Sequence, residues 1–218
     1  MAILVRPSAP TASAMPSIYQ LKPAFQALLR PLVRRLHSAG ITANQVTLAA
    51  GVGSLAIAAL VAVFSEQRWL FALIPLWMFL RMALNAIDGM LAREFDQQTT
   101  LGAYLNELCD LVSDTALYLP FLLLPGVSPV WLVLVLLLAL LSEYAGVMGP
   151  LAGASRRYDG PMGKSDRAFC FGALGAGVAA GLLSAVWING VLLLLTALLL
   201  LTLANRVRQG LAEVAAAN

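Results

Sequence analysis

The sequence predicts an all-α integral membrane protein: six transmembrane helices preceded by an amphipathic interfacial helix on the cytoplasmic side. The first observation is composition. Of 218 residues, 60% are hydrophobic and only 11% are charged, whereas a soluble domain carries about a quarter charged residues. The second is arrangement, because the apolar residues fall in uninterrupted runs close to the roughly 20 residues that a helix needs to cross a bilayer. The third is the placement of positive charge. Twelve of the fourteen Lys and Arg residues fall on one side of the spans, and only Arg68 lies in a loop on the other. Excess positive charge marks the cytoplasmic face, so both termini are expected there.

Taken in order, residues 1–16 are rich in Ala, Pro and Ser and lack the apolar core of a signal peptide, so a disordered tail is expected. Residues 17–39 read as the amphipathic helix. Leu21, Phe25, Leu28, Leu32 and Leu36 recur at helical spacing, Lys22, Gln26, Arg30 and Arg34 form a polar stripe, and Pro31 should bend it. Thr42 or Asn44 is placed to cap the first span. The six-helix domain, 42–209, divides into spans near 44–64, 69–92, 98–124, 129–153, 166–184 and 187–208. Pro75 and Pro120 lie inside spans and should kink them. Residues 210–218 are expected to form a C-terminal tail. Gly172, Gly175, Gly177 and Gly181 suggest close helix packing on span 5.

Chemistry concentrates between Asn85 and Asp114. At about 100° per residue, Arg81, Asn85, Asp88 and Ala92 share one face of span 2, while Asn106, Glu107, Asp110 and Asp114 share an arc of span 3. The short turn between them makes the spans antiparallel neighbours, so the two polar faces can meet. Ionisable groups at membrane depth are costly and persist mainly where they line a pathway or a site. Grouped carboxylates repel unless a cation sits among them, and oxygen ligands without His or Cys favour Mg²⁺, Mn²⁺ or Ca²⁺ over zinc. Gly89 and Gly102 leave space for a ligand beside the backbone. The competing reading is interhelical glue, buried polar pairs that merely hold the bundle together.

These residues resemble the signature of the CDP-alcohol phosphotransferase (phosphatidyltransferase) family, D-x2-D-G-x2-A-R-x8-G-x3-D-x3-D. Asp88, Gly89, Ala92, Arg93, Gly102 and Asp110 match it in type and spacing. Asn85 and Asn106 stand where the first and third aspartates belong, and the chain is most similar to a branch with that substitution. The resemblance implies a bacterial inner-membrane enzyme of phospholipid synthesis and a homodimer. Its reaction would move a phosphatidyl group from CDP-diacylglycerol to an acceptor hydroxyl, releasing CMP, with Mg²⁺ or Mn²⁺ as cofactor. Asn85, Asp88, Asn106 and Asp110 would form the metal set, with Glu107, Asp114 and Glu143 as replacements for the lost charge. Asp88, Gly89, Ala92, Arg93 and Gly102 would hold the CDP moiety, and Asp110 would act as general base. The two asparagines reduce the four-residue set from a formal charge of −4 to −2, which predicts one tightly held metal or two held weakly.

A second patch runs from Arg156 to Arg167. Lys164, Arg167 and Arg156, with Glu143 about 15 Å deep at helical rise, are candidate acceptor-binding groups. Ordinary positive-inside charge is the alternative, and Asp166 among them suggests a non-phosphate or zwitterionic acceptor. The acceptor stays open among a polyol phosphate, a polar alcohol and a glycerol-headed lipid. Other readings are a family member that binds CDP-lipid without turnover, an enzyme with a small CDP-alcohol donor, and a cation transporter. Transport is disfavoured because spans 1, 5 and 6 carry no acidic residue in their cores. Cys109 and Cys170 read as inert thiols and His37 as a solvated residue. Nothing in the chain points to nucleic acid.

Overall fold

In the computed structural model, the described residues are 18–217, with side chains from residue 23 onward. The tail to residue 16 and the side chains of Leu21 and Lys22 lie outside them. Helix α1 spans Ile18–Ser38, α2 Ala43–Val63, α3 Leu73–Glu94, α4 Thr100–Tyr118, α5 Pro129–Met148, α6 Lys164–Ala179 and α7 Ala185–Ala217. Short 3₁₀ segments at Arg68–Ala72, Leu119–Leu123 and Pro150–Ala152 interrupt them. No strand occurs among the described residues, so the all-α expectation holds.

Four helical stretches are long and apolar enough to cross a membrane: α2, Arg68–Glu94, α5 and α7. Only 33–39% of each apolar window is buried inside the protein, so most of these side chains face outward, as a bilayer requires and water would not tolerate. The two remaining bundle helices depart from that pattern for a reason. Helix α4 carries the polar groups of the candidate site, and α6 has only 16 residues.

Local chemistry explains the boundaries. Thr42 caps α2 in a reciprocal box: its hydroxyl accepts from the Gln45 amide at 3.3 Å, and Gln45 Oε1 accepts from the Thr42 amide at 2.9 Å. Pro75 falls in the first turn of α3, where no intrahelical partner is lost, so it starts the helix rather than kinking it. Pro120 ends α4 and passes the chain into a 3₁₀ turn. The expected C-terminal tail is instead helical to Ala217. Its Ala-rich sequence favours helix, and Glu213 fixes it by accepting from the Ser155 amide and hydroxyl, each at 2.9 Å.

Helix α2 packs on α3 and α4, α3 on α6, and α5 on α7. Gly172 and Gly175 face Pro75, and a Cβ on Gly175 would lie 2.9 Å from the Phe71 carbonyl oxygen, so α6 approaches α3 closely only because side chains are missing there. Gly181 departs from the packing expectation. It has φ +70° with open space around it and serves the turn between α6 and α7. An aromatic cluster closes the core beneath the polar region: Tyr118 stacks on Phe171 with centroids 3.7 Å apart, and Phe121 meets both Phe71 and Phe171 edge-on.

Helix α1 divides its apolar residues between the bundle and the outside. Val33 is fully buried, with Leu29 and Leu36 packed on the same cluster, whereas Leu28 and Leu32 are 75% and 46% exposed. It runs through Pro31 without a break. His37 is not simply solvated: its ring stacks on Phe95 with centroids 4.1 Å apart, and Arg30 pairs with Glu94 at 2.9 Å.

Candidate active site

The turn after α3 sets the register of the site. Asp96 takes φ +53°, a left-handed conformation that a short acidic residue tolerates, and Thr99 then caps α4 by accepting from the Gly102 amide at 2.9 Å. Gln97 Oε1 accepts from the Ala43 amide at 2.8 Å, tying this turn to the start of α2. With α3 and α4 so aligned, Asn85, Asp88, Gly89, Ala92 and Arg93 meet Gly102, Asn106 and Asp110 around one cavity of about 550 Å³. Lys164, from the start of α6, completes its inner wall.

Within this cavity Asp88 is buried and accepts from the Thr47 hydroxyl at 2.8 Å. Asn85 donates its amide to Asp110 Oδ1 at 3.2 Å. Both carboxylate oxygens of Asp110 carry a cation: Oδ1 accepts from Arg81 at 2.7 Å, and Oδ2 pairs with Lys164. Arg81 is itself buried and also pairs with Asp114. The space beside each of the two glycines is taken up by a neighbouring polar side chain. A Cβ on Gly89 would meet the Arg93 guanidinium at 2.9 Å, and one on Gly102 would meet Asn44 Oδ1 at 2.7 Å. Arg93 has no ion-pair partner among the described residues.

A second cavity of about 420 Å³ opens on the other side of Asp110 and Asn106. Its wall brings together Glu107, Asp114, Glu143, Arg156, Lys164 and Arg167, drawn from α4, α5, the loop before α6 and α6 itself. Glu143 accepts from Arg167 at 3.0 Å and lies 3.5 Å from Arg206. Arg156 grips Glu107 with both terminal nitrogens, one at 2.8 Å, and lies over the Tyr158 ring at 5.1 Å. The Glu107 hydrogen bonds push the Arg156 pKa above its ordinary value. Glu107, Asp114 and Glu143 thus stand on arginines in this cavity and do not line the one around Asp88.

A third feature is an apolar groove of about 710 Å³ between α3 and α6, walled by Met78, Phe79, Met82, Ala168, Phe169 and Ala173. Its polar end is formed by Arg81, Asn85, Asp114 and Lys164, so it opens onto the same charged centre.

The donor chemistry around Asp88 fits a hard cation. The carboxylates of Asp88 and Asp110 line the cavity together with the side-chain amides of Asn85 and Asn106, although no group of three or more His, Cys, Asp and Glu suited to a metal exists among the described residues. Because Asp110 is already engaged by two cations, Asp88 is the stronger anchor. Three contributors were not visible as site residues in the sequence. Thr47 and Tyr158 carried no signal, whereas Arg206, 2% exposed near the end of an otherwise apolar run, reads in the sequence as ordinary cytoplasmic-side charge.

Comparison with known proteins places the chain in a family and a fold. A profile of the CDP-alcohol phosphatidyltransferase family matches residues 40–204. The chain is 47% identical to the inner membrane protein YnbA of Escherichia coli over 192 residues, covering 88% of this chain and 95% of that one. It is 32% identical to the phosphatidylinositol phosphate synthase of Mycolicibacterium smegmatis over 105 residues, 48% of this chain and 46% of the relative. The Mycobacterium tuberculosis phosphatidylinositol phosphate synthase with CDP-DAG bound superposes with TM-score 0.70 at 20% identity, covering 84% of this chain and 92% of that one. The same enzyme in complex with manganese and citrate gives 0.66 at 20% identity, covering 83% and 87%. By the family model and its relatives, the chain belongs to the CDP-alcohol phosphatidyltransferase family of membrane transferases.

Proposed function

We propose that the chain transfers a phosphatidyl group from CDP-diacylglycerol to an acceptor hydroxyl, with release of CMP, at the junction of the two polar cavities. The observation that carries this reading is the position of Asp110. It lines both cavities, so one carboxylate stands between the cavity we assign to the donor nucleotide and the one we assign to the acceptor alcohol. The cytidine end of the donor enters beside Gly89 and Gly102. Arg93, the cation without a partner, takes a donor phosphate. The apolar groove beside Arg81 and Lys164 takes acyl chain, which favours a diacyl donor over a small CDP-alcohol.

In the transfer, the acceptor oxygen attacks the phosphorus that bears diacylglycerol, and its proton passes to an Asp110 carboxylate oxygen. The bond between that phosphorus and the CMP oxygen breaks, and CMP leaves with the electron pair. Lys164 and Arg81 orient Asp110 and stand beside the developing charge. Asp88, with the amide oxygens of Asn85 and Asn106, would hold Mg²⁺ or Mn²⁺, which neutralises the pyrophosphate when bound. With −2 rather than −4 on the four motif positions, one metal is held tightly or two weakly. Both termini face the cytoplasm, six helices span the inner membrane, and the active unit is a homodimer, in keeping with the charge distribution and the family resemblance.

The alternative is a protein that binds the CDP-lipid without turnover, favoured by the two asparagines and by the cations already held on Asp110. Purified protein with CDP-diacylglycerol, either metal and a panel of acceptor alcohols separates the two. Metal-dependent and acceptor-dependent CMP release is expected. Saturable CDP-diacylglycerol binding without CMP release would establish the alternative instead.

A further inference from the structure

We infer that the acceptor presents an uncharged polyhydroxy end, and not a phosphomonoester, to the cavity formed by Glu107, Glu143, Arg156 and Arg167. This rests on the transfer reading above and names the acceptor class for it.

Charge is the first ground. The cavity wall holds five carboxylates, on Glu107, Asp110, Asp114, Glu143 and Asp166, against four cations, on Arg156, Lys164, Arg167 and Arg206. Adding Arg81, which reaches Asp110 and Asp114 from α3, only brings the two signs level. Every one of these cations already has an acidic partner: Arg156 on Glu107, Lys164 on Asp110, and Arg167 and Arg206 both on Glu143. A phosphate dianion needs surplus positive charge, and here it would have to displace a carboxylate from the cation that holds it. The cavity around Asp88 offers the contrast, since Arg93 there is unpaired.

Hydrogen-bonding capacity is the second ground. The wall sets carboxylate acceptors beside guanidinium and ammonium donors. The Arg156 guanidinium also lies over the Tyr158 ring, 5.1 Å from its centroid. A hydroxyl both donates and accepts, so a run of hydroxyls satisfies such a mixed wall without altering its charge.

The same chemistry occurs on free polyols and on glycerol-headed lipids, and the test distinguishes them. With the full-length protein, CDP-diacylglycerol and Mn²⁺, kcat/KM is measured for glycerol, myo-inositol and phosphatidylglycerol as acceptors. The phosphate arms are glycerol 3-phosphate and inositol 1-phosphate. Binding of each acceptor to CDP-diacylglycerol-loaded protein is followed in parallel by thermal shift. At least one uncharged polyol end should exceed its phosphate ester by about tenfold or more, the scale of one mismatched charge contact. Glu107→Gln and Glu143→Gln, which release Arg156 and the Arg167–Arg206 pair, should each move the ratio toward the phosphate ester. Preference in binding without CMP release would sink the transfer reading and leave the acceptor class standing. Parity, preference for the phosphate ester, or binding of neither class would overturn it.

Discussion

The two polar cavities share Asn106, Asp110 and Lys164, yet their charges are arranged in opposite ways. Around Asp88 the groups are under-committed: the carboxylate accepts a single hydroxyl, Arg93 is unpaired, and two amides replace two acids. Around Glu143 every cation is matched within the wall. The difference teaches that the first cavity is built to receive charge and the second to present hydrogen bonds. Substitutions on either side should therefore separate donor effects from acceptor effects.

The largest effect is expected from Asp88→Asn. It removes the one carboxylate of the first cavity that no cation holds, and CMP release should fall by about a thousandfold or more, as when a transition-state charge loses its stabilisation. CDP-diacylglycerol-induced thermal shift should fall with it, while folding is checked by size-exclusion profile. Next, Asn85→Asp with Asn106→Asp restores the family's acidic positions. The Mn²⁺ concentration for half-maximal activity should drop by about tenfold or more, because added ligand charge raises affinity for a hard cation. An unchanged metal titration would show that these positions do not face the metal.

Gly102→Ala should come third. Its Cβ would press on Asn44 Oδ1 and on the Thr99 cap, at 2.7 and 3.0 Å, raising KM for the CDP donor by roughly tenfold while leaving acceptor KM in place. A proportional loss in both would place the glycine in packing alone. The smallest effect lies outside the cavities. Hydrogen bonds from Arg157 hold the Asp159 carboxyl below its usual range. Its contribution to stability is therefore present above about pH 4, the unfolded value, and is lost as pH falls through the lower folded one. Asp159→Asn should lower Tm slightly at pH 6 and remove that part of the acid dependence.

What was legible in the sequence follows the same division. The spans and the cavity around Asp88 arise from residues close in sequence, where helical periodicity fixes which side chains share a face. The short turn predicts α3 and α4 as direct neighbours, but both pack on α2 rather than closely on each other, and only their polar side chains meet, at the cavity. The second cavity joins Glu107 to Arg156 and Glu143 to Arg206 across 49 and 63 positions, and no periodicity records such pairs. Which apolar residues of α1 pack on the bundle is not written in its periodicity, because it carries them on more than one side and only packing selects Leu29, Val33 and Leu36. The helical C-terminus was missed because Glu213 takes its anchor from Ser155, a tertiary contact.

The central claim is that Asp110 takes the acceptor's proton between the two cavities. Single-turnover CMP release from CDP-diacylglycerol-loaded Asp110→Asn, with saturating Mn²⁺ and the best acceptor, tests it most directly. The account predicts retained donor binding with release slowed by about a thousandfold or more, the loss typical of a base that also stands at the developing charge. Undiminished CMP release from that variant would contradict it.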